Sequence, residues 1–486
     1  MTAADIEIAD SKGLMMIEIP VGREFLGSKP REHVTNMLTR TDHIEVSQDG
    51  DLIFDGYKAE DLLSEFGSPL YVVSEQTLRE NFRRIKGVFE RLWPKKVVVM
   101  YAIKSNNNPA IRAVIHQEGG GGDCFGLGEL HSTFMGGADP ERVAMNGSNK
   151  TEAELRAAVQ KGVNVNIDAV DEIRMLDAIC ADLGKVGAVA LRIKSAPESL
   201  AGSPSDYLGL ASDSRKFLLR EKWGFSVDSA LELVPQILDC RHLRLRGFSL
   251  HTPRFTQNPE LFAECTRDFA ETIIRVRAAT GFVPELIDIG GGWPRDRDPE
   301  SRTHELNSSS VENFAEAVVA SLLDTFMSHQ MPIPELRMEP GRFIVGNAVA
   351  LLGRVGQIKR DCGMVWVNVD FSTNNLPRID TAGSAYHFLP ASGMDRAYAE
   401  LAQIVGSTCI DSRMADNWAI PKLATGEPVV ILDAGMYADS ASTQFNSVPR
   451  PATVMISNGT VHMIKRRETV EDLYQNTSVP EHLLPK

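Results

Sequence analysis

Between Val97 and Met338 the chain alternates short, unbroken apolar runs with longer amphipathic stretches, and this alternation restricts the fold more than any other feature. The apolar runs cover residues 97–103, 143–146, 163–167, 186–193, 243–250, 286–289 and 336–338, with a weaker one near 121–124. Runs of this length, apolar on both faces, suit strands that are covered on both sides. Helical patterns separate most of them, as at 151–161, 168–183 and 259–279. Eight strands alternating with helices over about 240 residues predict an α/β fold, a (β/α)8 barrel rather than an open doubly wound sheet.

The flanks read differently. A strand-like run begins at Ile53 and another covers 69–74, followed by an amphipathic helix over 75–92 whose charged face carries Arg79, Glu80, Arg83, Arg84 and Lys86. After Val345, short apolar runs at 348–358, 364–369, 428–432, 452–456 and 460–464 are separated by turns, which predicts an all-β domain of the Greek-key barrel or sandwich kind. The early strands have no partners of their own, so they are expected to join that β domain. The expected division is an N-terminal extension over 1–44, broken by Gly22, Gly27 and Pro30, and strands over 45–74 that join the β domain. The barrel then spans 75–345 and the C-terminal β domain 346–486.

Composition narrows the function. Acidic residues exceed basic ones by 65 − 51 = 14, which argues against nucleic acid or an acidic membrane surface as the main partner. No stretch approaches the roughly eighteen apolar residues that span a bilayer. The N-terminus has acids where a signal peptide needs a basic region and an apolar core, so a cytoplasmic location is expected. Cys124, Cys180, Cys240, Cys265, Cys362 and Cys409 are scattered without metal-ligand spacing, which fits reduced thiols and no metal site.

In a barrel enzyme the active site lies at the C-terminal ends of the strands, and four conspicuous clusters end predicted strands here. They are AIK at Lys104, LHTPR at His251, IDIGGGWP at Gly290, Gly291 and Gly292, and MEPGR at Glu339 to Arg342. Taken alone, Lys104 is an ordinary exposed strand-end lysine. A desolvated lysine there also suits Schiff-base chemistry, because burial is expected to lower its pKa. The triple glycine is either a tight turn or a place where backbone N–H groups approach an anion; it has neither the GxGxxG spacing nor a Walker lysine, which favours a monophosphate. Arg342 could supply the countercharge or pair with Glu339. Glu339 could serve a protonated pyridine nitrogen, and His251 is either a core histidine or a ring that stacks on a flat cofactor. Lysine for an aldehyde, glycines and arginine for a phosphate, and a carboxylate for a ring nitrogen together fit pyridoxal 5′-phosphate (PLP).

The same segments resemble the barrel-fold PLP decarboxylases, the family of ornithine, arginine and diaminopimelate decarboxylases, from about Pro69 to Tyr474. YAIKSNNNP resembles the lysine segment, and GGDCFGLGEL the motif whose acids, matching Asp123 and Glu129, lie near lysine and cofactor. MNGSNKT and EKWGFS match further segments. The resemblance implies that Lys104 holds PLP, His251 stacks on its ring, Gly290 to Gly292 bind its phosphate and Glu339 serves its nitrogen. LPRID places Arg378 where diaminopimelate decarboxylases bind substrate carboxylate. STCIDS places Cys409 on an active-site cysteine contributed by a partner subunit, which implies a homodimer with shared sites. DAGMYADSASTQFN supplies Tyr437 for phosphate and substrate, then Phe445 and Asn446. The closing RPATVMI and IKRRETVEDL are similar to the diaminopimelate and D-ornithine/D-lysine branch.

Two positions depart from the pattern. Where the family has a phosphate-binding serine after the histidine, the sequence has Arg254, which either takes over the phosphate or serves the substrate. The acid that normally follows the cysteine and binds a distal amine is Ile410, with Asp411 next and Arg413 beyond. Asp411 could compensate, or Arg254 and Arg413 could favour an anionic tail. The expected activity is removal of the α-carboxylate of a small amino acid, diaminopimelate-, ornithine- or lysine-like or with an acidic or modified tail. Cys409 is the expected general acid at Cα. The rival readings are an amino-acid racemase on the same cofactor and a non-catalytic regulatory homologue.

Overall fold

The structure is a computed structural model that describes residues 22–202, 213–251, 258–411 and 413–484. Eight parallel strands close into a barrel, in chain order Val97–Ala102, Gly121–Phe125, Val143–Asn146, Asn164–Ile167, Gly187–Arg192, Leu243–Ser249, Leu286–Asp288 and Glu335–Met338. The eighth strand pairs with the first, Leu336 opposite Val97. Every residue of Val97–Ala102 is buried, which is why the strand reads as an uninterrupted apolar run.

The helices outside the barrel are punctuated by sequence. Helix Glu75–Leu92 starts where the Ser74 hydroxyl accepts from the Thr77 N–H, and its buried face carries Leu78, Phe82, Ile85 and Phe89 at helical spacing. Helix Glu152–Lys161 opens on a reciprocal Thr151–Glu154 capping box and stops at Gly162 in the left-handed region. Pro30, read from the sequence as a breaker, instead occupies the first turn of helix Pro30–Met37, where its missing N–H costs nothing.

The β domain is one branched, mixed sheet of nine strands. Its spine runs Arg413–Ile420, Glu400–Val405, Met364–Val369, Val349–Asp361, Leu70–Ser74, Ala452–Ser457 and Thr460–Lys465, with Pro428–Ile431 and Phe388–Pro390 branching from Val349–Asp361. The N-terminal strand Leu70–Ser74 is therefore central, parallel to Ala452–Ser457 and antiparallel to Val349–Asp361.

Upstream of it the chain forms a second, smaller sheet that packs on the β domain. Ile44–Val46, Leu52–Phe54 and Tyr57–Lys58 form a separate three-stranded antiparallel sheet, tightened by a two-residue turn at Asp55 (φ 43) and Gly56 (φ 86). Helix Ala59–Phe66 intervenes before Leu70, and the Leu52 N–H of the small sheet donates to the Ala391 carbonyl of the β domain at 3.0 Å. Leu52 and Phe54 pack in one buried cluster with Val34, Met37, Leu62, Leu63, Val72 and Leu352.

A buried ion triad fastens the parts together. Arg297, in the loop after the seventh barrel strand, lies 2.7 Å from Asp42 and 2.5 Å from Asp433, and at most 2% of any of the three side chains is exposed. Among the described residues no helix is long and apolar enough to cross a membrane, and no three His, Cys, Asp or Glu side chains are grouped to hold a metal.

Candidate active site

The strand ends converge on a cavity of about 290 Å3 whose wall includes Lys104, Asn146, Arg192, His251 and Glu339 from the barrel and Arg378 and Tyr437 from the β domain. A larger groove of about 630 Å3, bordered by His43, Glu80, Arg83 and Asn458, shares none of these side chains.

Lys104 follows the first barrel strand in a one-turn helix, Ile103–Ser105, and the β domain pins that turn from above. The Tyr437 N–H donates to the Ser105 carbonyl at 2.7 Å, and the Ser440 hydroxyl donates to the Lys104 carbonyl at 3.0 Å. Tyr437 holds a left-handed backbone (φ 50), a conformation that costs a non-glycine residue free energy and concentrates at functional sites.

The Lys104 ammonium donates to Asp123 Oδ2 at 2.7 Å. Burial alone opposes its charge, but the carboxylates of Asp123 and Glu339 outweigh burial and hold the amine above its ordinary pKa. The local reading of the apolar strand end is the reverse, because it weighs burial alone; the family resemblance places Asp123 near the amine. Asn146, at the end of the third strand, donates to Asp123 and to Glu339, each at 2.7 Å. Burial, then Asp123 and Asp288, push the Glu339 carboxyl well above its usual value. Burial also moves Asp288 up to about 6 and Glu129 up to about 7.

Glu339 is thus a buried carboxyl whose charge is opposed by burial and by two neighbouring acids. The His251 ring stands beside it, Nδ1 3.9 Å from Glu339 and accepting from the Gly291 N–H at 3.4 Å. Only glycine fits the turn below: a Cβ at Gly290 (φ 70) would lie 2.4 Å from the Leu250 carbonyl, and one at Gly291 2.6 Å from the Glu339 carbonyl. An amine, an open glycine turn, a flat imidazole and a buried acid around one cavity fit PLP in chemistry.

Other expected residues lie apart. Arg342 does not line the cavity; Glu300 lies 2.8 Å from it and Asp298 3.6 Å. Cys409 and Ile410 are exposed outside the cavity, with the Cys409 N–H donating to Asn446 Oδ1 at 3.0 Å beside exposed Phe445. Asp411 is exposed too, and Arg413 is engaged by Asp416 at 3.0 Å and stacks on Trp366. Arg254 falls outside the described residues.

Sequence reasoning missed Asn146, Arg192, Lys194, Trp223 and Glu300. The first two end barrel strands, the same signal that singled out Lys104. Lys194 lies two residues past such an end; Trp223 lies within the quoted EKWGFS segment, where nothing local set it apart.

A closed eight-stranded barrel with a lysine-centred, glycine-floored, acid-backed cavity, capped by a β domain, defines a PLP enzyme of the barrel class. Comparison with known proteins gives the family. The family described as "Pyridoxal-dependent decarboxylase, pyridoxal binding domain" matches residues 75–346, and the chain belongs to these decarboxylases. It is 31% identical over 445 residues to the diaminopimelate decarboxylase of Methanothermobacter thermautotrophicus, covering 91% of this chain and 99% of that one. With the Methanocaldococcus jannaschii diaminopimelate decarboxylase it shares 28% over 458 residues, covering 92% and 99%. The crystal structure of the M. jannaschii enzyme in complex with L-lysine superposes with a TM-score of 0.83 at 27% identity, covering 92% of this chain and all of that one. The chain is thus a PLP-dependent amino-acid decarboxylase.

Proposed function

We propose that this decarboxylase acts on an α,ω-diamino acid, with PLP held on Lys104 and the substrate tail directed toward Arg378 and Tyr437. The observation that carries the reading is the arrangement of Lys104, His251 and Glu339 on the barrel side of the cavity, with Arg378 and Tyr437 on its β-domain side. When bound, PLP supplies a carbonyl for the substrate amine and a sink for the electron pair left by departing CO2. Glu339 holds a proton at the ring nitrogen, and Asn146 fixes the carboxyl by donating to it. His251, beside Glu339, would offer its flat ring to the cofactor. Gly290 to Gly292 and Tyr437 would hold the phosphate end, whereas Arg342 is engaged by Glu300 and Asp298 outside the cavity. Asp123 orients the Lys104 amine. Arg378, stacked 5.3 Å over the Tyr437 ring, meets polar groups of the substrate.

Cys409 returns the proton to Cα, reaching the cavity of a second copy of the chain. Its exposure beside Ile410 and Phe445 supports this, as the three present a partly apolar surface. The relatives' names make meso-diaminopimelate the first substrate to try, alongside both enantiomers of lysine and ornithine. The test is CO2 and amine release by the PLP-loaded protein; no release from any of them while PLP stays bound would refute the substrate class. Mixing Lys104→Ala and Cys409→Ala proteins tests the shared site: random exchange makes half the dimers hybrid, each with one intact site of two, so about a quarter of full activity returns. No recovery despite proven exchange would remove Cys409 from the partner's site.

A further inference from the structure

Among the described residues, the lysines and arginines that line the cavity are already engaged inside the protein. Lys104 is paired with Asp123 at 2.7 Å, and Arg192 has Asp168 at 3.6 Å. The Lys194 ammonium donates to the carbonyls of Leu219 and Glu221 at 2.8 and 2.6 Å. Arg378 is bound most tightly: its Nε donates to Glu300 Oε1 at 2.6 Å, and its Nη2 lies 2.6 Å from the same carboxylate.

Glu300 is placed by its backbone. It sits in the one-turn helix Pro299–Ser301, its N–H donates to Asp298 Oδ1 at 3.0 Å, and the Pro299 carbonyl accepts from Ala385 of the β domain at 2.8 Å. Only 1% of its side chain is exposed, and its second oxygen lies 2.8 Å from Arg342. One buried carboxylate therefore occupies the Nε–Nη2 edge of Arg378 and offsets its charge, while Arg342 on its other oxygen has Asp298 at 3.6 Å as a second acid. A substrate carboxylate that approaches the other edge meets an ion pair with a negative charge behind it, in a setting where burial weakens screening.

We propose that Glu300 is a specificity-determining residue that acts through Arg378: it makes the tail end of the pocket favour an amino acid whose tail carries an amine alone over one that also carries a second carboxylate. This rests on the decarboxylase reading for where the substrate lies, and it narrows the diamino acids to lysine- or ornithine-like ones. Glu300 touches no substrate; it is a positioning residue that sets the charge Arg378 presents.

The test compares the holoenzyme with Glu300→Gln, which keeps an oxygen for Arg378 and removes the charge. Binding of hexanoate and of pimelate, which adds only a second carboxylate, is measured by calorimetry. The wild type is expected to gain less than threefold from the second carboxylate, and E300Q at least tenfold. In turnover, the kcat/KM ratio of meso-diaminopimelate to lysine of the same configuration at the reacting centre is expected to rise at least tenfold in E300Q. Tenfold tighter pimelate binding by the wild type would overturn the proposal, and so would unchanged ratios in an E300Q protein that keeps PLP. Should E300Q fail to fold, the wild-type pair decides. Absence of CO2 release by the wild type counts against the substrate reading alone, because the binding comparison still tests Glu300.

Discussion

Replacing Arg297 with Met removes the cation from between two carboxylates while roughly preserving volume. Asp42 and Asp433 each have 0% side-chain exposure, and Arg297 reaches both while also donating to the Met37 carbonyl at 2.7 Å. Removing one member of a buried ionic group leaves uncompensated charge and costs about 3–5 kcal/mol. With an unfolding entropy of about 2.1 cal/mol/K per residue, 486 residues give about 1 kcal/mol/K, so the melting temperature should fall by about 3–5 °C if the molecule melts as a unit. The fall is larger if the β domain melts first. Burial opposes the charge on Asp42, and Arg297 outweighs it, so the carboxyl is held below its ordinary pKa. A depressed carboxylate pKa contributes stability above the unfolded value and loses it as pH falls through the folded one. That contribution exists only in the wild type, so the gap between the two proteins should narrow below about pH 4. Scanning calorimetry of both proteins from pH 7 to pH 3.5 is the assay. A shift under 1 °C at pH 7, or a gap that widens on acidification, would refute the argument that charge compensation is what Arg297 provides.

Two further outcomes follow from the buried titratable groups. Asp123→Asn removes the nearest charge that holds the Lys104 amine protonated, so reductive methylation of Lys104 in the cofactor-free protein, followed by peptide mapping, should begin at lower pH than in the wild type; an unmoved profile would mean Glu339 alone sets that amine. His33 and His304 are pushed down to about 4 chiefly by burial, within a cluster where His33 lies 3.2 Å from His387. A histidine whose folded pKa is depressed loses stability as pH falls from about 6.5 toward that value, on the order of 2 kcal/mol per ring at pH 5. The melting temperature should therefore drop between pH 7 and pH 5, and less so in His304→Phe; a flat profile in the wild type would show the rings are not buried neutral.

The barrel was legible because strands covered on both faces leave no room for polar residues, so Val97–Ala102 and Gly187–Arg192 announced themselves. Glu400–Val405 and Arg413–Ile420 went unread because each has only part of its length buried, with polar residues interleaved. The strand-end rule found Lys104, His251 and Glu339, and would have found Asn146 and Arg192 had it been applied to every strand. Glu300 carries no such mark. It lies in an irregular loop, and its importance comes from two arginines that are 42 and 78 residues further along the chain. From the strand alone the direction of the Lys104 pKa was missed for a similar reason: burial is visible in an apolar run, but the 2.7 Å contact with Asp123 is a product of strand pairing.

The central position of Leu70–Ser74 bears on how the enzyme is made. This strand leaves the ribosome 452 − 74 = 378 residues ahead of its parallel neighbour, Ala452–Ser457. The peptide carbonyls of Lys104 and Ser105 likewise wait for Ser440 and Tyr437. At about 5–20 residues per second, the interval between the two strands is roughly 20–80 seconds, long against the folding of a single domain. During that time the barrel can close while a strand bound for the middle of a sheet keeps open edges. Capture of cofactor should thus lag behind barrel formation, and a ribosome-bound chain ending before Asp433 should be structured, lack PLP and depend on holdase chaperones.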